Sequence, residues 1–133
     1  MSEQLGYLDT NLIVHALFPN DAQAPRCRAL LTALGEGEAE GRLDPLVIHE
    51  LTYVLLNLRR FPDRAAVEVY LRDLLRAPGV QAPQRPLLLA ALSRWASRGG
   101  GFVDAWLATL ALAEDQPVCT ANARDFPDVR NTF

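Results

Sequence analysis

The chain has 133 residues, half of them hydrophobic, and a formal net charge of -3 at pH 7. That much apolar material suffices for one core without disulfide or oligomeric support, so a single domain over residues 1–133 is expected. The acidic balance disfavours broad nonspecific binding to nucleic acid, which needs a phosphate-neutralising surface, but leaves room for a local basic groove.

All 13 basic residues are arginine. The absence of lysine eliminates a Walker P-loop, and it disfavours phosphatases that set a lysine beside a strand-end aspartate. No stretch approaches the roughly 20 apolar residues of a membrane helix, and the N-terminus lacks the basic and apolar regions of a signal peptide. A cytoplasmic protein without membrane association is expected. Cys27 and Cys119 match no zinc or CxxC spacing and are expected to be reduced, buried small hydrophobes.

Residues 5–8 are a short apolar run ending in Asp9, Thr10 and Asn11, which read as strand, polar corner and the start of a helix that stops before Pro19. Residues 22–34, rich in Ala, Leu and Arg, form a second helix that Gly35 and Gly37 stop. Residues 42–47 read as a short extended segment carrying Pro45. In the third helix Leu51, Val54, Leu55 and Leu58 follow the i, i+3, i+4, i+7 spacing of a buried stripe. A fourth helix is expected over 63–76, a strand over 80–82 and a helix over 87–97. After the break at Gly99, Gly100 and Gly101 come a helix over 102–114 and a last strand over 118–120. Strands alternating with helices of this length predict an α/β fold, a three-layer sandwich with a central parallel sheet flanked by helices.

Four carboxylates stand where such a fold gathers ligands, outside the carboxyl ends of parallel strands or at the starts of the helices that follow. Asp9 closes the first strand, a position that also suits a helix cap. Glu50 has Leu46, Val47 and Val54 at i-4, i-3 and i+4 and no basic residue at i±3 or i±4, so it is expected to border the buried face. An unpaired acid there is costly unless it is protonated, hydrogen-bonded or bound to a cation. Asp104 lies in the first turn of its helix, ahead of a track of Ala105, Ala108 and Ala111 suited to close packing on the sheet. Asp125 follows the last strand. Oxygen-rich sites without imidazole suit Mg²⁺ or Mn²⁺ and not zinc. His15 and His49 belong to no HExxH or serine–histidine pattern and are expected to pack or to face solvent.

Leu8, Asp9, Thr10 and Asn11; His49, Glu50 and Leu51; Phe102, Val103, Asp104 and Ala105; and Thr120, Ala121 and Asn122 followed by Arg124, Asp125 and Phe126 together resemble the PIN domain, in its order and approximate spacing. The likeness spans nearly the whole chain and is closest to the VapC toxin branch of bacterial toxin–antitoxin systems. It implies a Mg²⁺- or Mn²⁺-dependent endoribonuclease, often a homodimer, restrained by a small antitoxin protein. It also implies that Asp9, Glu50 and Asp104 ligate metal and that Asp125 reaches a second metal or acts through water. Thr10 and Asn11 would brace Asp9, while Thr120 and Asn122 would orient ligands or substrate phosphate. The implied chemistry is in-line attack of an activated water on an RNA phosphodiester.

Arg59, Arg60, Arg64, Arg94 and Arg98 are candidate contacts to RNA phosphates, and each also fits a solvated helix face. Trp95 and Trp106 lie in apolar helices and are expected in a core or an interface. Two other readings stand beside the toxin: a PIN nuclease of RNA maturation or DNA processing, and a PIN-like interaction module that would have lost its acids.

Overall fold

A parallel sheet begins the fold, with strands β1 (Glu3–Tyr7), β2 (Ala39–Arg42) and β3 (Val80–Gln81) in the order β1-β2-β3. The computed structural model describes residues 2–133, which cluster into two units, residues 2–83 and 84–133. The first unit holds the sheet together with helices α1 (Thr10–Ala16), α2 (Ala24–Glu36), α3 (Pro45–Asn57) and α4 (Arg64–Arg76). Parallel neighbours need long crossovers, and the two helix pairs supply them, α1–α2 from β1 to β2 and α3–α4 from β2 to β3. This is the expected α/β sandwich.

Close backbone approach keeps the sheet narrow. A Cβ on Gly79 would lie 1.9 Å from the Ala39 carbonyl oxygen, and one on Gly41 would lie 2.6 Å from Leu8 Cδ2. Leu8 extends the ladder one step past β1, its N–H donating to the Arg42 carbonyl at 2.8 Å. Its side chain is buried, so the alternation of a strand turns Asp9 outward at the carboxyl end of the sheet.

The helices start where short polar caps meet apolar faces. Asp9, Asp44 and Asp63 cap α1, α3 and α4 through their carboxylates, accepting from the N–H groups of Thr10, Leu46 and Ala66. In α4, Val67, Leu71 and Leu75 recur every fourth residue and are wholly buried. Each such side chain contributes about 1.5 to 3 kcal/mol of burial.

Two differences from expectation arise in this unit. The second strand is Ala39–Arg42, earlier than residues 42–47, because Pro45 is the first residue of α3 and not a strand residue. Proline presets the helical φ and lacks an N–H that the first turn would leave unpaired. The buried face of α3 is Ile48, Leu51, Thr52 and Leu55, whereas Val54 and Leu58 are only partly covered.

The second unit pairs α5 (Arg85–Arg98) with α6 (Phe102–Glu114). Leu88, Ala91, Leu92 and Trp95 are buried on α5, and Phe102, Ala105, Ala108, Thr109 and Ala111 on α6, so the alanine track is core. Trp106 stacks on Phe102 with ring centroids 6.4 Å apart.

The strand expected over 118–120 is a single parallel bridge, Val118 to Asn131. The physical reason lies in Asn131, whose side chain accepts from the Thr120 N–H at 3.2 Å and donates to the Thr120 carbonyl at 3.1 Å. A side chain thereby takes the groups that a neighbouring strand would use. Both cysteines are free, but Cys119 is exposed, in a segment, 117–121, that is nowhere fully covered; Cys27 is buried as expected. Among the described residues no helix is long and apolar enough to cross a membrane.

Candidate active site

In the first unit, Asp9 follows β1 and its Oδ1 accepts from the Thr10 N–H at 2.9 Å. Asp9 is exposed and so is Asn11, while the Thr10 hydroxyl is buried and has no hydrogen-bond partner among the described residues. Glu50 lies in the second turn of α3 and is exposed too. The expectation that it borders the buried face is overturned, because Leu46, one turn earlier, is 75% exposed and the core face of the helix points the other way.

Arg59 and Arg60 follow the far end of α3, which closes at Asn57, about 10 Å along the axis from Glu50 at the helical rise. Arg60 sits over the Phe18 ring, 5.1 Å from its centroid. Arg64 opens α4 behind the Asp63 cap. His15 pairs with Asp21 at 2.5 Å. The Gln23 N–H and His15 hold the Asp21 carboxyl below its ordinary range.

The second unit contains a cavity of about 290 Å³. Asp104 and Asp125 both line it, as do Arg94, Arg98 and Arg124, with Gly99 and Gly100 leaving part of the wall bare of side chains. Positive φ angles of 79° and 75° at these two glycines turn the chain from α5 into α6. Asp104 is half-buried in the first turn of α6, whose N-cap, Gly101, has no side chain to offer the helix.

Asp125 ends a 3₁₀ turn, Ala123–Asp125. It is held from behind: the Thr120 hydroxyl accepts from the Asn122 N–H at 2.9 Å, and the Asn122 side-chain amide donates to Asp125 Oδ2 at 2.7 Å. Among the described residues Oδ1 has no hydrogen-bond partner.

The three arginines of the cavity are not equivalent. Arg94 forms a two-pronged pair with Asp128, at 2.8 and 2.5 Å, and Arg98 makes a longer contact of 3.4 Å to the same carboxylate. The Arg94 hydrogen bonds bring the Asp128 carboxyl down to about 2 and raise Arg94 in turn. Arg124 is exposed and, among the described residues, pairs with no carboxylate. Arg124 and Asp128 were not among the candidates from sequence. Arg124 was signalled only by adjacency to Asp125, and Asp128 meets Arg94 across 34 positions, a pairing that no local spacing reveals.

A model of the PIN domain family matches residues 6–131, nearly the whole chain and both units. The chain belongs to the PIN domain family. No curated relative matches the sequence. PIN domains are typically nucleases that act on nucleic acids with divalent metal ions, so the four acids are to be tested as donors for such an ion.

Among the described residues, no group of three or more His, Cys, Asp or Glu side chains is gathered closely enough to hold an ion. The cavity of this PIN domain offers two carboxylates and no thiolate or imidazole. Mg²⁺ is commonly bound by one or two carboxylates, with water and substrate phosphate completing the shell, so the donor chemistry fits a hard divalent cation.

Proposed function

We propose that this PIN domain is a Mg²⁺- or Mn²⁺-dependent endoribonuclease, the toxin of a toxin–antitoxin pair, working as a homodimer and restrained by a small antitoxin protein. The observation that carries the nuclease part is the cavity in which Asp104 and Asp125 stand beside arginines, acid for a cation and guanidinium for phosphate. The toxin part rests on the likeness of the four motifs to the VapC branch.

Asp104 and the free Oδ1 of Asp125 would hold the cation, with Asn122 fixing the Asp125 carboxylate so that little reorganisation is needed on binding. When bound, such a cation supplies positive charge to the phosphoryl oxygens and lowers the pKa of water. The residues of the chain do the rest: the carboxylates orient, and an unpaired guanidinium draws the phosphate in. Asp9 and Glu50 enter the proposal as further catalytic acids on the motif likeness alone, with Thr10 and Asn11 beside Asp9.

The test is expression in a bacterial host with mapping of the RNA ends produced. Growth arrest with new, discrete RNA ends, relieved by the small protein encoded next to this one, supports the toxin reading. Normal growth with intact, folded protein and unchanged RNA ends refutes it.

A further inference from the structure

The cavity has more arginines than free positive charges. Arg94 is only 12% exposed in its side chain, and both of its terminal nitrogens are committed to Asp128. A guanidinium in such a fork is neutralised and fixed, so it cannot turn to a phosphate without breaking a charge-assisted pair. Arg98 is partly neutralised by the same carboxylate. Arg124 lines the same cavity next to Asp125 in sequence, yet among the described residues it reaches no acid within ion-pair distance.

We propose that Arg124 is the residue that contacts a substrate phosphate in this cavity, and that Asp128 is a positioning residue that withholds Arg94 from the same task. The inference rests on the nuclease reading for its substrate class, a single-stranded polynucleotide. The physical case is one of competition for charge. A free guanidinium gains a phosphate contact without giving up a protein partner, whereas Arg94 would have to exchange one anion for another. The turn that carries Asp125 carries Arg124 as well, and Asn122 holds the Asp125 carboxylate in that turn by a hydrogen bond. Asp128 lies three residues after Asp125, and its pairing with Arg94 ties the chain just beyond this turn to α5.

The test uses the full chain without metal and a fluorescent oligouridylate, with binding measured by anisotropy across a fourfold rise in salt. One phosphate contact on a single strand contributes about 0.7 to the logarithmic salt slope, or a ~2.6-fold loss of affinity over that range. Arg124→Ala should remove one such step, and Arg124→Lys, which keeps the charge, should retain it. Asp128→Ala should add a step by releasing Arg94.

In cleavage assays Arg124→Ala should raise KM more than it lowers kcat. A wild-type slope and KM in folded Arg124→Ala would overturn the assignment of Arg124, and an unchanged or shallower slope in Asp128→Ala would overturn the role of Asp128. If the wild type binds RNA with the expected arginine dependence but cleaves none with Mg²⁺ or Mn²⁺, the nuclease reading fails while this one stands.

Discussion

Replacing Asp104 by Asn keeps the shape of the side chain and removes one of the two negative charges on the cavity wall. Two terms oppose each other in the metal-free protein. A sphere of the cavity's 290 Å³ is about 8 Å across, and two charges at that separation repel by roughly 0.5 to 1 kcal/mol at a dielectric of 80 to 40. Against this relief stands the favourable interaction of Asp104 with the first turn of α6, about 0.3 to 1 kcal/mol. The terms cancel within error, so the variant should melt within a few degrees of wild type in EDTA.

Metal separates them. Mn²⁺ at about 100 times its Kd stabilises the wild type by roughly 2.7 kcal/mol, and a ~100-fold weaker site at the same concentration gains only about 0.4 kcal/mol. For a chain of this size the first figure is a rise of about 10 °C in Tm and the second about 2 °C. Thermal unfolding of both proteins across a Mn²⁺ titration reads the difference directly. Equal metal-induced shifts would refute the reasoning, because Asp104 would then be a helix-start aspartate and nothing more.

Three further outcomes follow from the geometry. The Asp128 carboxyl titrates at about 2 in the fold against a usual 3.8, so its pairing with Arg94 stabilises the protein fully above about pH 4 and is lost as pH falls through about 2. The Tm gap between wild type and Asp128→Asn should therefore narrow from pH 6 to pH 3, and a constant gap would contradict the pairing. Gly79→Ala places a Cβ against the Ala39 carbonyl oxygen and should cost about 3 kcal/mol in urea unfolding; a neutral effect would mean the approach of Gly79 to β2 is looser than described. Asn122→Ala frees the Asp125 carboxylate and should lower kcat with little change in global stability, since the hydrogen bond is exposed; unaltered kcat would leave Asn122 a simple turn residue.

The helix starts at Asp9 and Asp63 were legible because capping and apolar periodicity act within a few residues. The alanine track of α6 was legible for the same reason, small residues at helical spacing being useful only where another element packs. Pro45 was misread because extended and helix-opening prolines look alike until the Asp44 cap is recognised beside them. Glu50 misled because Leu46 is apolar yet exposed, and periodicity alone does not reveal which of two apolar faces is covered. The strand at 118–120 was lost to a side chain eleven residues away, Asn131, whose role no pattern records.

At the site, Asp104 and Asp125 were named from their positions, and the structure sets both on one cavity. What was not legible was charge pairing: Arg94 and Arg124 are the same residue type on the same wall, and only the distant Asp128 distinguishes them.

The most direct test of the central claim is cleavage of a labelled RNA by the purified chain with Mn²⁺ or Mg²⁺, with EDTA, and with Asp104→Asn and Asp125→Asn in parallel. The account predicts internal cleavage by the wild type that stops in EDTA and is almost abolished in both variants, while all three proteins stay folded. Cleavage that persists in EDTA, or that survives in both folded variants, would contradict it.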